Sequence, residues 1–266
     1  MHIALQLLLW TIVGHGGLAI FLTLAPRLGS GLANAVARAP GLDLAVALMT
    51  WVPWVVGAYF AGWLGVLASI GAQAVVLALW TTGHEWMHPK ARKGPRIVKV
   101  LNKIVGRAPN HLALWATLPA LPAFWMIRVA QVFAYPLLRV TLNFPKYKHS
   151  EWVMVSRHKF DGLVGHDLIW CLYCDWMTGV YSLGGEMLRN VESFWCPIRF
   201  YDGKKCDNCK VDFPDIEGGW VKADGNMEEV AKVMEEKYGS GRREWFGHPV
   251  RLTVKESDNN RQKHVS

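Results

Sequence analysis

The first 83 residues are almost without charge: Arg27, Arg38 and Asp43 are the only formally charged side chains before His84. A soluble domain needs a charged surface, so this stretch reads as membrane-embedded. Cysteine is equally confined, with all five lying between positions 171 and 209. That excludes a disulfide framework for most of the chain. The N-terminus also lacks the Lys or Arg of a secretory leader, so the apolar run Ile3–Leu24 reads as a retained helix. Missing too are a glycine-rich nucleotide loop, a Ser-His-Asp arrangement recognisable by spacing, an internal repeat and a low-complexity block.

What is present divides into an apolar half and a charged half. The net charge of +8 includes Lys90, Arg92, Lys93, Arg96, Lys99, Lys103 and Arg107, which directly follow an apolar segment. That placement marks a cytoplasmic loop rather than a nucleic-acid surface. The 14 tryptophans fit a membrane–water interface. The expected fold is mainly α: a transmembrane helical domain over 1–144, then a small cytosolic α+β Cys-rich metal-binding domain over 145–266. The helices are expected at about 3–24, 44–58 and 62–83, with a hairpin over 112–144.

Leu44–Thr82 is about twice the length of one crossing, and Pro53, Gly57 and Gly62 punctuate it, so two helices joined by a tight turn are expected. Three crossings put the N-terminus outside and both the 26–42 loop and the basic loop inside, as the positive-inside rule asks. His15, between Gly14 and Gly16 near mid-membrane, suits a haem or quinone contact or a hydrogen bond between helices. Ile97, Val98, Leu101, Ile104 and Val105 recur at helical spacing, as in a helix lying on a membrane surface or one half-buried on the protein. Leu112–Phe144, with Arg128 near its centre and Pro119, Pro122 and Pro136, is short for two crossings and suggests a shallow or re-entrant hairpin. Beyond it, Asn226 and Glu229 read as a helix start, Gly239 as its stop, and Val250–Val254 as a short strand.

Two groups of residues carry metal-ligand chemistry. His84 and His88, four apart, share one helical face, with Glu85 placed as a base or ligand. The segment Gly83-His84-Glu85-Trp86-Met87-His88 resembles the first histidine box of the membrane-bound non-haem di-iron desaturases, ketolases and alkane hydroxylases. The resemblance implies iron and a hydrophobic substrate. No HxxHH box follows, so His111, His149, His158 and His166 would complete the ligand set, with Glu85, Asp161 or Asp167 as carboxylates. A single metal is equally compatible. The same residues match HExxH, the zinc metalloprotease motif, although Pro89 strains the helix at His88. Without metal they simply mark a helix end.

The second group is Cys171 and Cys174, Cys196, then Cys206 and Cys209. Two CxxC pairs suit structural zinc, Cys196-Pro197 suits an iron–sulfur cluster, and each pair alone suits a redox dithiol or buried packing. Glu186, Arg189, Asn190 and Glu192 form a polar set in an apolar neighbourhood, as a pocket wall or a salt-bridge network.

The expected function is a membrane-bound metal-dependent oxidoreductase, hydroxylase- or desaturase-like, acting on a hydrophobic substrate. The alternatives are a non-catalytic membrane anchor or assembly subunit with a structural zinc tail, and an intramembrane HExxH metalloprotease. Membrane lipids and an electron-transfer or membrane-complex partner are implied, and no nucleic acid. The expected location is the inner (plasma) membrane, with the C-terminal domain cytoplasmic.

Overall fold

A computed structural model describes residues 2–199 and 220–238. The helices are α1 His2–Leu28, α2 Ser30–Ala37, α3 Gly41–Met49, α4 Val52–Met87, α5 Pro89–Lys93, α6 Ile97–Val105, α7 Arg107–Trp115, α8 Leu121–Val129, α9 Tyr135–Leu142, α10 His149–Trp152, α11 Gly165–Trp195 and α12 Met227–Tyr238. They form two compact units, Met1–Phe124 with Lys148–Val180, and Trp125–Tyr147 with Tyr181–Ser266. The division falls inside helices, because α11 contributes residues to both units.

Three helical segments among the described residues are long and apolar enough to cross a membrane: Ile3–Leu28, Val52–Met87 and Arg107–Leu142. Several of their aromatic side chains face outward, with Trp10 73% exposed, Tyr59 83% and Trp63 72%. Apolar area on that scale is tolerated in lipid and not in water.

In the first unit, α4 is not one straight rod. Its 36 residues would measure about 54 Å at helical rise, far beyond a hydrocarbon core of about 30 Å. The backbone leaves helical geometry at Ala61 (φ −142°) and Gly62 (φ 56°, ψ −141°), a conformation that suits glycine. The chain then folds back on itself in register. Gly57 meets Gly65 so closely that a Cβ on either would strike the other's backbone. One turn further out, Ser69 Oγ donates to Pro53 O at 2.9 Å. A turn beyond that, Gln73 Nε2 donates to Met49 O at 3.1 Å and Thr50 O at 2.6 Å, while its Oε1 accepts from Trp54 Nε1 at 2.6 Å. These bonds satisfy the carbonyls left open where α3 ends, which lipid could not do. α1 lies along α4, tied by Trp80 Nε1 donating to Thr23 Oγ1 at 3.0 Å.

The connections at one end of this bundle are joined. Ala39 N donates to Val153 O and Val155 N to Ala37 O, both at 2.9 Å. Arg38 Nη1 donates to Ser150 O at 3.3 Å, and Trp176 Nε1 to Asp43 Oδ1 at 3.2 Å. The start of α11 meets the end of α4, where Gly165 N donates to His84 Nδ1 at 3.3 Å. Arg27, Arg38 and the basic run from Lys90 to Arg107 thus border the same end of the bundle.

Residues 107–142, where the sequence suggests a hairpin, are helical. They run on as helical pieces, with Ala116, Thr117, Leu121, Val129 and Ala134 all right-handed. Pro119 and Pro136 occupy the first turns of their pieces, where a missing N–H costs least. A π-turn at Ala130–Ala134 lets the last piece restart before Pro136.

Among the described residues there is no sheet, only the isolated bridges Arg38↔Met154 and Ile198↔Val221. Val250–Val254 and Gly239 lie outside the described residues.

The second unit is organised around buried polar groups. Arg128 Nη1 donates to Gln131 Oε1 at 2.9 Å. Asn190 Nδ2 donates to Tyr147 Oη at 2.6 Å and Tyr135 Oη at 3.3 Å; Tyr147 Oη donates to Glu186 Oε1 at 3.3 Å, and Arg189 Nη1 to Glu186 Oε2 at 3.2 Å. Burial pushes the Tyr147 hydroxyl far above the ordinary phenol range. This set is a hydrogen-bonded support, not a pocket wall. At α12, Glu229 N donates to Asn226 Oδ1 and Asn226 Nδ2 to Glu229 Oε1, both at 3.0 Å, the reciprocal cap expected there.

Candidate functional site

The site grows from one arginine in the first unit. Arg96, 5% exposed, precedes α6 and donates through Nη2 to Glu85 Oε1 at 2.9 Å and through Nε to Asp167 Oδ2 at 2.9 Å. Nη2 also donates to Val164 O at 3.1 Å. Two separate parts of the chain, the end of α4 and the 164–167 stretch, therefore converge on one guanidinium. Asp167 then accepts from the Ile97 amide at 3.0 Å and the Val98 amide at 3.1 Å. α6 has no cap of its own, so this distant carboxylate satisfies its first amides and meets its dipole. Burial opposes ionisation of Asp167, but His166, Arg96 and the Val98 amide outweigh it and hold the carboxyl below the usual aspartate range. Burial likewise opposes the charge on Arg96, and Glu85 and Asp167 overcome it.

The histidines fall into pairs. His84 and His88 stack with ring centroids 4.3 Å apart. His88 Nδ1–H donates to His84 O at 2.9 Å, which leaves the lone pair on Nε2. His84 is the opposite: its Nδ1 accepts the Gly165 amide, so its proton sits on Nε2. His111 and His166 meet edge to face at 5.5 Å. His166 Nε2 accepts from Trp170 Nε1 at 3.1 Å, and Nδ1 faces Asp167 Oδ1 at 3.8 Å. His158, on the 3-10 turn Arg157–Lys159, has its pKa lowered by burial and by Lys159. His149 begins α10.

Cys171 and Cys174 are free thiols one turn apart on α11. Asp175 anchors Arg157, accepting from Arg157 Nε at 3.2 Å and from the Ser156 and Arg157 amides at 2.8 and 3.0 Å. The anchored guanidinium acts electrostatically on both thiols. Burial nevertheless pushes the Cys171 thiol above its ordinary value, with Arg157 pulling the other way. Both cysteines, Arg157, His166 and Trp170 line a cavity of about 230 Å³, closed on its other side by apolar residues of α6 and α7 such as Leu101 and Leu114. Cys196 is exposed and belongs to the second unit; Cys206 and Cys209 lie outside the described residues.

Comparison with protein-family models, curated proteins and solved structures finds no match to this chain. The functional reading therefore rests on the site alone.

The residues described do not fit a di-iron centre. Glu85 and Asp167 are engaged by Arg96, His166 is occupied on Nε2, and His84 would have to release Gly165 to offer a lone pair. No group of three or more His, Cys, Asp or Glu among the described residues is arranged to hold a metal ion. Glu85, expected as an acid/base or ligand, is held by Arg96 Nη2 at 2.9 Å. Sequence reasoning missed Arg96 and Arg157 as organisers, since neither sits in a motif; only the long separation of Arg96 from Asp167 in the chain hides their pairing.

Proposed function

We propose that the protein is a membrane-bound oxidoreductase acting on a hydrophobic substrate at the cytoplasmic face of the inner membrane, with Cys171 and Cys174 as its redox pair. The observation that carries this reading is the cavity in which two free thiols meet Arg157 and an apolar wall. Each thiol gives up one electron and one proton as the disulfide forms, and an acceptor of the quinone or disulfide class takes both. Neighbours at i and i+3 on a helix hold their Cβ atoms about 5–6 Å apart, wider than the roughly 3.5–4.5 Å of a relaxed disulfide. The oxidised form is therefore strained and readily reduced, so the resting state is the dithiol. Membrane lipids surround the helices, and a soluble electron-transfer partner restores the pair.

The test is to equilibrate the detergent-purified chain with glutathione redox buffers and map linkages by mass spectrometry. A reversible Cys171–Cys174 link is expected; thiols that never link across the series would remove the reading.

The second reading is the iron-dependent one, with His84 and His88 as ligands. It rests on the free lone pair of His88, and it requires His84 to give up the Gly165 amide. Elemental analysis of wild type beside the His84→Ala/His88→Ala double variant decides it: iron lost in the variant supports it.

A further inference from the structure

One face of α6 is apolar and exposed. Ile97, Val100 and Ile104 follow one another at i, i+3 and i+7, the first two 50% exposed and Ile104 70%, with Val105 exposed beside them. Lys99 and Lys103, one turn apart, run along the flank of that stripe, and both are exposed. Arg96 is held by Glu85 and Asp167, but Lys90, Arg92, Lys93 and Arg107 are exposed around the same helix. From Trp86 to Ser150 the sequence contains no Asp or Glu to offset them.

Charge and chain length together choose the occupant. An apolar stripe flanked only by cations complements a leaflet that is anionic at its surface and hydrocarbon beneath. Only residues 88–106 separate the span-length segment ending at Met87 from the one beginning at Arg107. Gly106 (φ 92°) turns the chain directly from α6 into α7, the start of that second segment. With a membrane-length helix on each side, α6 is kept at the bilayer surface, where lipid is what meets it.

We propose that α6 is a docking surface for anionic phospholipid of the surrounding leaflet. Val100, Ile104 and Val105 enter the acyl region, and Lys99 and Lys103 pair with the headgroup phosphates. The same helix gives Ile97, Val98 and Leu101 to the thiol cavity, so lipid seated on α6 borders that cavity. No thiol takes part in the docking, and its test is separate from that of the redox reading.

The test uses the full-length chain in lipid nanodiscs, with a nitroxide on Ile104→Cys and the five native cysteines replaced by serine. The readout is collision of the label with oxygen, which partitions into lipid, and with a water-soluble nickel chelate. In discs of equal phosphatidylcholine and phosphatidylglycerol, the label is expected to meet oxygen and be shielded from nickel. That shielding should weaken in pure phosphatidylcholine, and in the mixed discs when Lys99→Gln/Lys103→Gln is added. Should the cysteine-free chain fail to fold, native mass spectrometry of the unmodified protein carries the test. Wild type is expected to retain phosphatidylglycerol about tenfold better than phosphatidylcholine, and Lys99→Gln/Lys103→Gln to lose most of that preference. A label open to nickel in the mixed discs would assign the face to a protein partner and overturn the proposal. Equal shielding in the two lipids, or a lipid preference untouched by the double variant, would overturn it as well.

Discussion

Arg96 and Asp167 meet at 2.9 Å in an almost fully buried ion pair, and the same carboxylate caps the helix that Arg96 introduces. The pair therefore fixes both the start of α6 and the end of α4. Removing one partner leaves the other charged and buried. Arg96→Met is expected to destabilise the first unit by about 3–5 kcal/mol. The check is hydrogen exchange at the α6 amides together with thermal melting in detergent; unchanged protection at Ile97 and Val98 would contradict it.

Acid should act through Asp167. Its folded-state pKa is depressed, so its contribution is complete above the ordinary aspartate value of about 4 and is lost as pH falls through the lower folded value. Melting temperature is expected to be insensitive to this group from neutral pH down to about 5, then to drop. Asp167→Asn should start lower and lose that part of the acid slope.

Gly165 has φ +53°, and a Cβ there would land on the Glu85 side chain. Gly165→Ala combines backbone strain of roughly 1–2 kcal/mol with a clash against a carboxylate already held by Arg96. Loss of the Gly165–His84 hydrogen bond should follow, visible as a change in the His84 imidazole NMR signals.

Thiol reactivity should be unequal. Burial raises the Cys171 pKa and lowers its thiolate fraction at neutral pH. Brief treatment with iodoacetamide near pH 7.5 should label Cys196, which is exposed, well before Cys171. Raising the pH to about 9.5 should speed the labelling of Cys171. Arg157→Ala removes the cation that pulls the Cys171 pKa down and should slow it further.

At the helical turn, Gly57→Leu should prevent the two arms of α4 from meeting, because the added carbon strikes Gly65. The expected outcome is a sharp loss of folded protein in membranes, whereas Gly71→Leu, whose Cβ meets open space, should be tolerated.

Much of the membrane half was legible in the sequence for a simple reason. Charge depletion up to Thr82 and the basic run after it are local signals, and Gly62 in its positive-φ turn is the kind of residue such a turn demands. The Asn226 cap was equally local. In the 107–142 segment the prolines alone did not say what they do, which is to start new helical pieces at Pro119 and Pro136. The histidine motif showed spacing but not tautomers, which depend on Gly165 and Trp170, far along the chain from His84 or a turn from His166. Arg96 looked like one more loop cation until Asp167, some seventy residues on, gave it a partner.

The register of the α4 hairpin bears on how the chain reaches the membrane. Gln73, Ser69 and Trp54 spend their polar atoms on one another and on the carbonyls of Met49, Thr50 and Pro53. Entering one arm at a time would expose those groups to hydrocarbon, at several kcal/mol for each unsatisfied group. Entering as a closed pair exposes only apolar side chains. The hairpin is thus a unit of biogenesis: its two arms must leave the translocation channel together, after the loop at Ala61–Gly62 has formed.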